Sequence, residues 1–374
     1  MGIDGERLLQ PVLAHYMPWF MFNASTHEAG WHWTMDYKNK TVDPFASPPR
    51  IAAHSTPLIG PYDSRDRRVI RYHLELMQKS GIQGVIVNWY GTRAHDDYPR
   101  NLEASDVIID EAAKAGMMFS VAYEDWTVDD GSWEKEPKPD VLQAARAQLA
   151  KDFEYLRDRY MTKPGFLRIG GRPLLLVFGP RKLCLTDDWE PMLSSVFPEE
   201  ATRPMVMKLQ GNSADIPPGY NFPWFPSLHP PASSNASDMA QFLKRYYKTE
   251  AEANRTAMGV IWQGFHDYYK EGSGGVEKSY GYLDPLNGRT ADLSMNYATK
   301  YKPAFVQLTT WNDWQEGTTF EPSREAGYFY LKKVQQHILG VTNETAFKEV
   351  TSRYFASIAK DDTKSQTSAK VIFV

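Results

Sequence analysis

Short apolar runs alternate with longer amphipathic segments along nearly the whole chain. The first run covers 12–17. In 63–79 the positions Val69, Ile70, His73, Leu74, Leu76 and Met77 fall on one broad helical face, and Gly81 follows as a stop. Residues 82–91 are apolar at almost every position and rich in Val and Ile, as a strand buried on both faces must be. Helical spacing returns in 101–115 and closes at Gly116. The unit then recurs, with strands predicted at 117–126, 172–180 and 204–211 and helices at 138–160 and 187–197. The second half is less regular. Residues 212–236, rich in Pro, Asn and Ser, read as an ordered surface loop around a short sixth strand at 220–225. A helix at 237–255, a strand at 258–269, a Gly-rich excursion at 270–291 and a short helix at 293–301 come next. The last strand is placed at 304–314 and the last helix at 327–339.

Eight strands, mostly apolar on both faces and each followed by a helix or a long loop, indicate a parallel sheet. That number fits a single α/β domain, a (β/α)8 barrel with long βα loops over 8–345, with a doubly wound open sheet as the alternative. Residues 346–374 are polar and repeat nothing upstream; they are expected to form an extension packed on the barrel or partly disordered. With 42 basic against 46 acidic residues, the net charge of −4 lacks the positive excess that nucleic acid demands. Cys184 is the single cysteine, so no internal disulfide and no cysteine metal cluster can form. No apolar run reaches 18 residues, so no membrane span is expected. The start MGIDGERLLQ has no basic stretch followed by an apolar one. Export to the periplasm or the exterior is the expectation if a leader has been removed, and a monomer is expected.

Aromatic content changes this picture. Phe, Trp and Tyr make up 13% of the chain, with 11 Trp and 21 Tyr, residues whose flat apolar face and polar handle suit sugar rings as well as a large core. Parallel barrels carry their sites at the carboxyl ends of the strands, and there the aromatics gather. The first strand ends His15-Tyr16-Met17-Pro18-Trp19-Phe20, the second Asn88-Trp89-Tyr90 and the third Tyr123-Glu124-Asp125-Trp126. The seventh ends Trp262-Gln263-Gly264-Phe265-His266-Asp267, and the eighth Trp311-Asn312-Asp313-Trp314-Gln315-Glu316-Gly317. In the last of these, Asp313 and Glu316 would point to opposite faces of a continuing strand, but to one side if the chain turns helically after Trp311. Two carboxylates held together can take different pKa values, one acting as acid and one as base or nucleophile, as glycoside hydrolysis requires.

The segment WNDWQEGTTFEP, 311–322, resembles the WNEWxEGxxxEP signature of glycoside hydrolase family 99, the endo-α-mannosidase and endo-α-mannanase group. The first strand end, His15 to Phe20, is similar to that family's YYPWY, and GIQGVIVNWYG, 81–91, to its GIDGFVxxWYG. The resemblance implies a (β/α)8 barrel and a retaining hydrolase of 1,2-trans glycosides. In it Glu316 is the general acid, and Asp313 is the base that deprotonates the substrate's own 2-hydroxyl to form a 1,2-anhydro sugar. Aspartate stands where the family has glutamate, one methylene shorter. Glu321, matching the EP glutamate, is expected to organise the loop. Two alternatives accompany this reading: a catalytically idle sugar-binding barrel, and an inverting enzyme in which Asp313 activates water.

The substrate-binding residues expected around this pair are His15, Tyr16, Trp19, Asn88, Trp89, Tyr90, Glu124, Trp262, His266, Trp311 and Trp314. Trp89, Tyr90 and Trp262 are expected to floor the cleft, with Tyr16 and Trp19 on its rim. One of Glu124 and Asp125 should face the barrel mouth. The nine histidines contain no HExxH pair and no metal or cofactor is expected. Carbohydrate is the expected partner.

Overall fold

The computed structural model describes residues 7–35, 42–216, 220–225, 233–234, 236–253, 255 and 258–371. Eight parallel strands form one sheet: β1 (Val12–Tyr16), β2 (Gly84–Trp89), β3 (Met118–Tyr123), β4 (Arg172–Val177), β5 (Met205–Leu209), β6 (Tyr220–Phe222), β7 (Met258–Trp262) and β8 (Phe305–Thr309). Their order is β7-β8-β1-β2-β3-β4-β5-β6, and β6 comes within 8 Å of β7 in Cα positions, so the sheet is a nearly closed barrel and not an open sheet. Burial on both faces accounts for the continuous apolar runs: β1 and β2 are buried at every position.

Alternation along each strand decides which neighbour reaches the axis. Leu13, Ile86, Ala122, Leu174, Leu176, Met205, Met207, Phe222 and Met258, drawn from seven strands, form one cluster that fills the barrel interior. The residues between them, such as Val12, Val85, Val87 and Val121, pack outward. Gly84 makes the strands' close approach possible, because a Cβ there would stand 2.5 Å from the Met118 carbonyl oxygen.

The outer layer consists of α1 (Arg67–Ser80), α2 (Tyr98–Lys114), α3 (Pro139–Tyr155), α4 (Thr186–Val196), α5 (Ala236–Glu252), α6 (Arg289–Tyr301), α7 (Phe329–Leu339) and α8 (Glu344–Val371). Asp66 caps α1 by accepting the Arg68 N–H at 2.8 Å, and Gly81, at φ 84°, ends it. The predicted face of α1, Val69 to Met77, is the buried one. α8 lays Phe347, Val350 and Tyr354 against the body, with Tyr354 4.9 Å from Tyr72 of α1.

Between β5 and β6 the described residues 212–216 are irregular; 217–219, 226–232 and 235 of the predicted 212–236 loop lie outside the described residues. Ser233–Ser234 pairs with Tyr282–Leu283, which pairs in turn with Phe265–His266, a small sheet beyond the end of β7.

Candidate active site

β8 stops at Thr309, earlier than the predicted 314, and the chain turns over 314–317. Thr310 staples the base of this loop: its N–H donates to the Thr318 carbonyl at 2.9 Å, and its hydroxyl accepts the Asp313 N–H at 2.8 Å. Asp313 then caps the turn, its Oδ1 accepting the Glu316 N–H at 3.2 Å. Gly317 takes φ 63° directly against the chain after β7, where a Cβ would sit 2.7 Å from the His266 carbonyl oxygen. The Glu316 carbonyl accepts the His266 N–H at 2.9 Å and that of Gln315 the Tyr268 N–H at 2.8 Å. The turn is thereby fixed between the ends of β7 and β8, and both carboxylates line one open cleft of about 1610 Å³ at the carboxyl end of the barrel.

Neither carboxyl is in ordinary water. Asp313 is 4% exposed, and burial raises its pKa to about 7, with the capping N–H of Glu316 pulling the other way and the charge of Glu124 adding to the rise. Glu316 is held well above the usual carboxylate range by burial, then by the charges of Asp313 and Asp267. Its side-chain partner is the Tyr269 hydroxyl, at a long 3.4 Å from Oε1. Glu124 is a third buried acid in the cleft, raised by desolvation, with Oε1 accepting from Asn88 Nδ2 at 2.9 Å and Oε2 from the Trp126 indole. Its neighbour Asp125 turns away and accepts the backbone N–H groups of Arg181, Lys182 and Leu183 at 2.7, 2.8 and 3.1 Å.

Of the expected residues, Trp19, Asn88, Tyr90, Glu124, Asp313 and Glu316 line the cleft. The others do not, and strand phase is the reason for the first two. Tyr16 points outward with Val12 and Ala14, its hydroxyl 2.7 Å from His73 Nδ1 on α1. Trp89 follows Val85 and Val87 outward and lies 6.1 Å from Tyr155 and 6.0 Å from Tyr160, so it floors the helix layer and not the cleft. Trp262 is buried with Phe242, Tyr246 and Phe265. His266 stacks on His54 at 3.6 Å outside the cleft. His15 shares the inward phase of Leu13, but it is fully buried, 3.4 Å from Asn88 Oδ1, its pKa lowered to about 4 by burial. It therefore supports Asn88 from below.

Trp311 and Trp314 are wholly buried; Trp311 packs on His73 at 5.5 Å, and Trp314 belongs to a polar node under the turn. Tyr62 donates its hydroxyl proton to Glu321 Oε2 at 2.8 Å and accepts from Asn312 Nδ2 at 3.1 Å and from the Trp314 indole at 3.4 Å. Trp314 also donates to Glu321 Oε2 at 3.2 Å, while Glu321 Oε1 stands 3.1 Å from His73 Nε2. Asn312 pairs with both backbone groups of Met17, at 2.8 and 3.0 Å. Glu321 thus organises the loop from beneath it.

Loops supply what strand ends could not announce. Trp31, 40% exposed, lines the cleft, and His32 stacks on Trp19 at 4.4 Å while its Nδ1 meets Gln315 Oε1 at 2.7 Å. Trp126, Phe178, Arg181, Trp224 and Tyr269 also line it. Among the described residues no group of three or more His, Cys, Asp or Glu side chains could hold a metal ion, and no helix is long and apolar enough to cross a membrane.

Buried acids beside aromatic platforms at the carboxyl end of a parallel barrel define a (β/α)8 protein with a carbohydrate-sized cleft. More particularly, the chain is similar to glycoside hydrolase family 99. The family model of Glycosyl hydrolase family 99 matches residues 20–204, a span that ends before the turn carrying Asp313 and Glu316. Glycoprotein endo-alpha-1,2-mannosidase of Mus musculus is 22% identical over 329 residues, 79% of this chain and 63% of that protein, so the chain spans less than two thirds of it. The glycoprotein endo-alpha-1,2-mannosidase-like protein of Homo sapiens is 21% identical over 339 residues, 85% of this chain and 67% of that one. In fold, the GH99 endo-alpha-mannosidase from Bacteroides thetaiotaomicron superposes with a TM-score of 0.64 at 18% identity, over 91% of this chain and 98% of that chain.

Proposed function

We propose that the protein is a retaining glycoside hydrolase that cleaves a 1,2-trans linkage, α-mannoside among them, in an oligo- or polysaccharide. The observation that carries this reading is the turn 313–316, which presents two carboxyl groups to one cleft with unequal proton affinity. Asp313, the lower of the two, ionises near neutrality; Glu316, with one long hydrogen bond and three acidic neighbours, keeps its proton. A pair whose environments separate its pKa values has its acid and base roles assigned by that separation.

In the first step the Asp313 carboxylate takes the proton of the substrate's 2-hydroxyl, and the freed oxygen pair attacks C1. The C1–O bond to the leaving sugar breaks as Glu316 protonates its oxygen. In the second step Glu316, now ionised, takes a proton from water, whose oxygen attacks C1 of the 1,2-anhydro sugar. The C1–O2 bond breaks and O2 regains its proton from Asp313. Two displacements at C1 give net retention. The similarity to endo-α-mannosidases supports the mannoside preference, and Trp19, Trp31 and Tyr90 offer faces on which sugar rings can stack.

Glu316→Gln preserves shape and removes the acid. The reading expects hydrolysis of a mannan-type oligosaccharide panel to vanish in this variant while calorimetric affinity for the same glycans stays within about threefold, under 1 kcal/mol. If wild-type protein binds several of these glycans and cleaves none, the chain is a sugar-binding barrel and the catalytic assignment is withdrawn.

A further inference from the structure

The cleft is electrically lopsided. On the side of the β1 and β2 loops its guanidinium groups are already matched: Arg65 forks onto Asp63 at 2.9 and 3.0 Å and reaches Glu103 at 3.1 Å, and Arg100 lies 4.0 Å from Asp63. On the side of β4 to β6, Arg181 and Arg245 line the wall among Phe178, Trp224 and Phe242. Both are exposed. Arg181 has its backbone fixed by Asp125 at 2.7 Å and its guanidinium 5.4 Å over the Phe178 ring, with no side-chain hydrogen bond to a described residue. Arg245, on α5 one turn beyond Phe242, makes no hydrogen bond or ion pair with a described residue.

Glu124 does not account for Arg181. The arginine's charge acts on the Glu124 and Asp125 carboxyls, but Asn88 and Trp126 already serve both Glu124 oxygens and backbone N–H groups serve Asp125. Two guanidinium groups, neither hydrogen-bonded to a described carboxylate, thus bring positive charge to an aromatic recess of a chain that is net −4. Their planar donor geometry matches the two or three oxygens of a carboxylate, sulfate or phosphate, and a neutral hydroxyl uses neither the charge nor the fork.

We propose that Arg181 and Arg245 form an oxyanion subsite, so that the glycan cleaved bears a uronate, a sulfate ester or a phosphate ester on the sugar lying toward β4–β6. This rests on the hydrolase reading above and specifies its substrate class.

The test compares manno-oligosaccharides of one length in neutral, sulfated, phosphorylated and glucuronate-bearing forms. Affinity is read on the Glu316→Gln protein and turnover on wild type. At low ionic strength at least one anionic form should exceed the neutral one about tenfold in affinity and in kcat/KM. The ratio should shrink as salt is raised to about 0.5 M, because exposed charges are screened. The form that shows the preference identifies the oxyanion. In an Arg181→Gln/Arg245→Gln double variant the anionic-to-neutral ratio should fall to within about twofold. Equal or better handling of the neutral glycan, or a preference that survives the double variant, overturns the subsite and leaves the hydrolase reading standing. Absence of binding by every form, neutral and charged, overturns both.

Discussion

Removing the Tyr62 hydroxyl measures how far the buried node governs the turn that carries Asp313 and Glu316. Tyr62→Phe deletes one donated bond, to Glu321 at 2.8 Å, and two accepted ones, from Asn312 at 3.1 Å and Trp314 at 3.4 Å. No partner is left orphaned. Glu321 keeps Trp314 at 3.2 Å and His73 at 3.1 Å, and Asn312 keeps both groups of Met17. The stability cost therefore sits at the low end for buried hydrogen bonds, about 1–2 kcal/mol. At about 2.1 cal/mol/K of unfolding entropy per residue, the 374 residues give roughly 0.8 kcal/mol/K, so Tm should fall by only about 1–3 °C. Turnover should suffer more. Asp313 is carried between Asn312 and Trp314, the two residues the hydroxyl ties down, and displacement of a catalytic group by a fraction of an ångström costs about 10- to 100-fold in rate. Melting followed by near-UV circular dichroism, together with initial rates on a cleaved glycan, gives both numbers from one preparation. A kcat within twofold of wild type, with the small Tm loss present, would show that the node holds the fold and not the position of Asp313, and would refute the argument.

Three further outcomes follow from the same geometry. Gly317→Ala must shift either the turn or the His266 carbonyl, since its Cβ would lie 2.7 Å from that oxygen at φ 63°; a loss of kcat of about tenfold or more with KM little changed is expected, and unaltered kinetics would contradict the packing described. The pH profile of kcat/KM should be bell-shaped, rising through an apparent midpoint near 7 as Asp313 ionises and falling at higher pH as Glu316 loses its proton; a rise centred near 4 would remove Asp313 as the base. Asp313 has a folded-state pKa raised above its ordinary value of 3.8, so its stabilising contribution is complete below about pH 4 and is lost as pH climbs to about 7. Asp313→Asn should therefore raise Tm by several degrees at pH 8 and leave it nearly unchanged at pH 4, and the opposite order in a thermal-shift series would refute the burial argument.

The sequence displays the barrel clearly because burial on both faces leaves no room for alternation: each strand must be a continuous apolar run, and such runs are hard to mistake. The same property hides strand phase. When every position in VIVNW is buried, nothing periodic tells Trp89 from Asn88, and both were expected at the cleft where only the amide stands. A usable signal was nonetheless present. A polar residue within an apolar run, as His15 in β1, Asn88 in β2 and Gln307 in β8, marks a buried polar group that needs a partner, and His15 meets Asn88. Counting by twos from those residues puts Tyr16 and Trp89 outside. No such local signal existed for His32, whose contact with Gln315 spans 283 residues of sequence, or for Arg181, which a separate loop aims at the cleft.

Under the proposed function, an aspartate at position 313, where the resembled motif has glutamate, acquires a physical sense in this turn. A side chain that caps a turn must be short enough for its oxygen to reach back to a nearby backbone N–H, and aspartate does this well. Asp313 spends Oδ1 on the Glu316 N–H at 3.2 Å. That bond favours the ionised form of Asp313, so the cap and the lower proton affinity of the pair have one cause. Glu316 receives no comparable backbone donor and faces the charge of Asp313, which together with burial keeps its proton in place. A glutamate at 313 would carry its carboxyl one methylene further from the backbone and would have to give up the cap to occupy the cleft. The shorter residue thus lets a single turn orient both carboxyl groups and hold them at different proton affinities, as the proposed acid and base roles require.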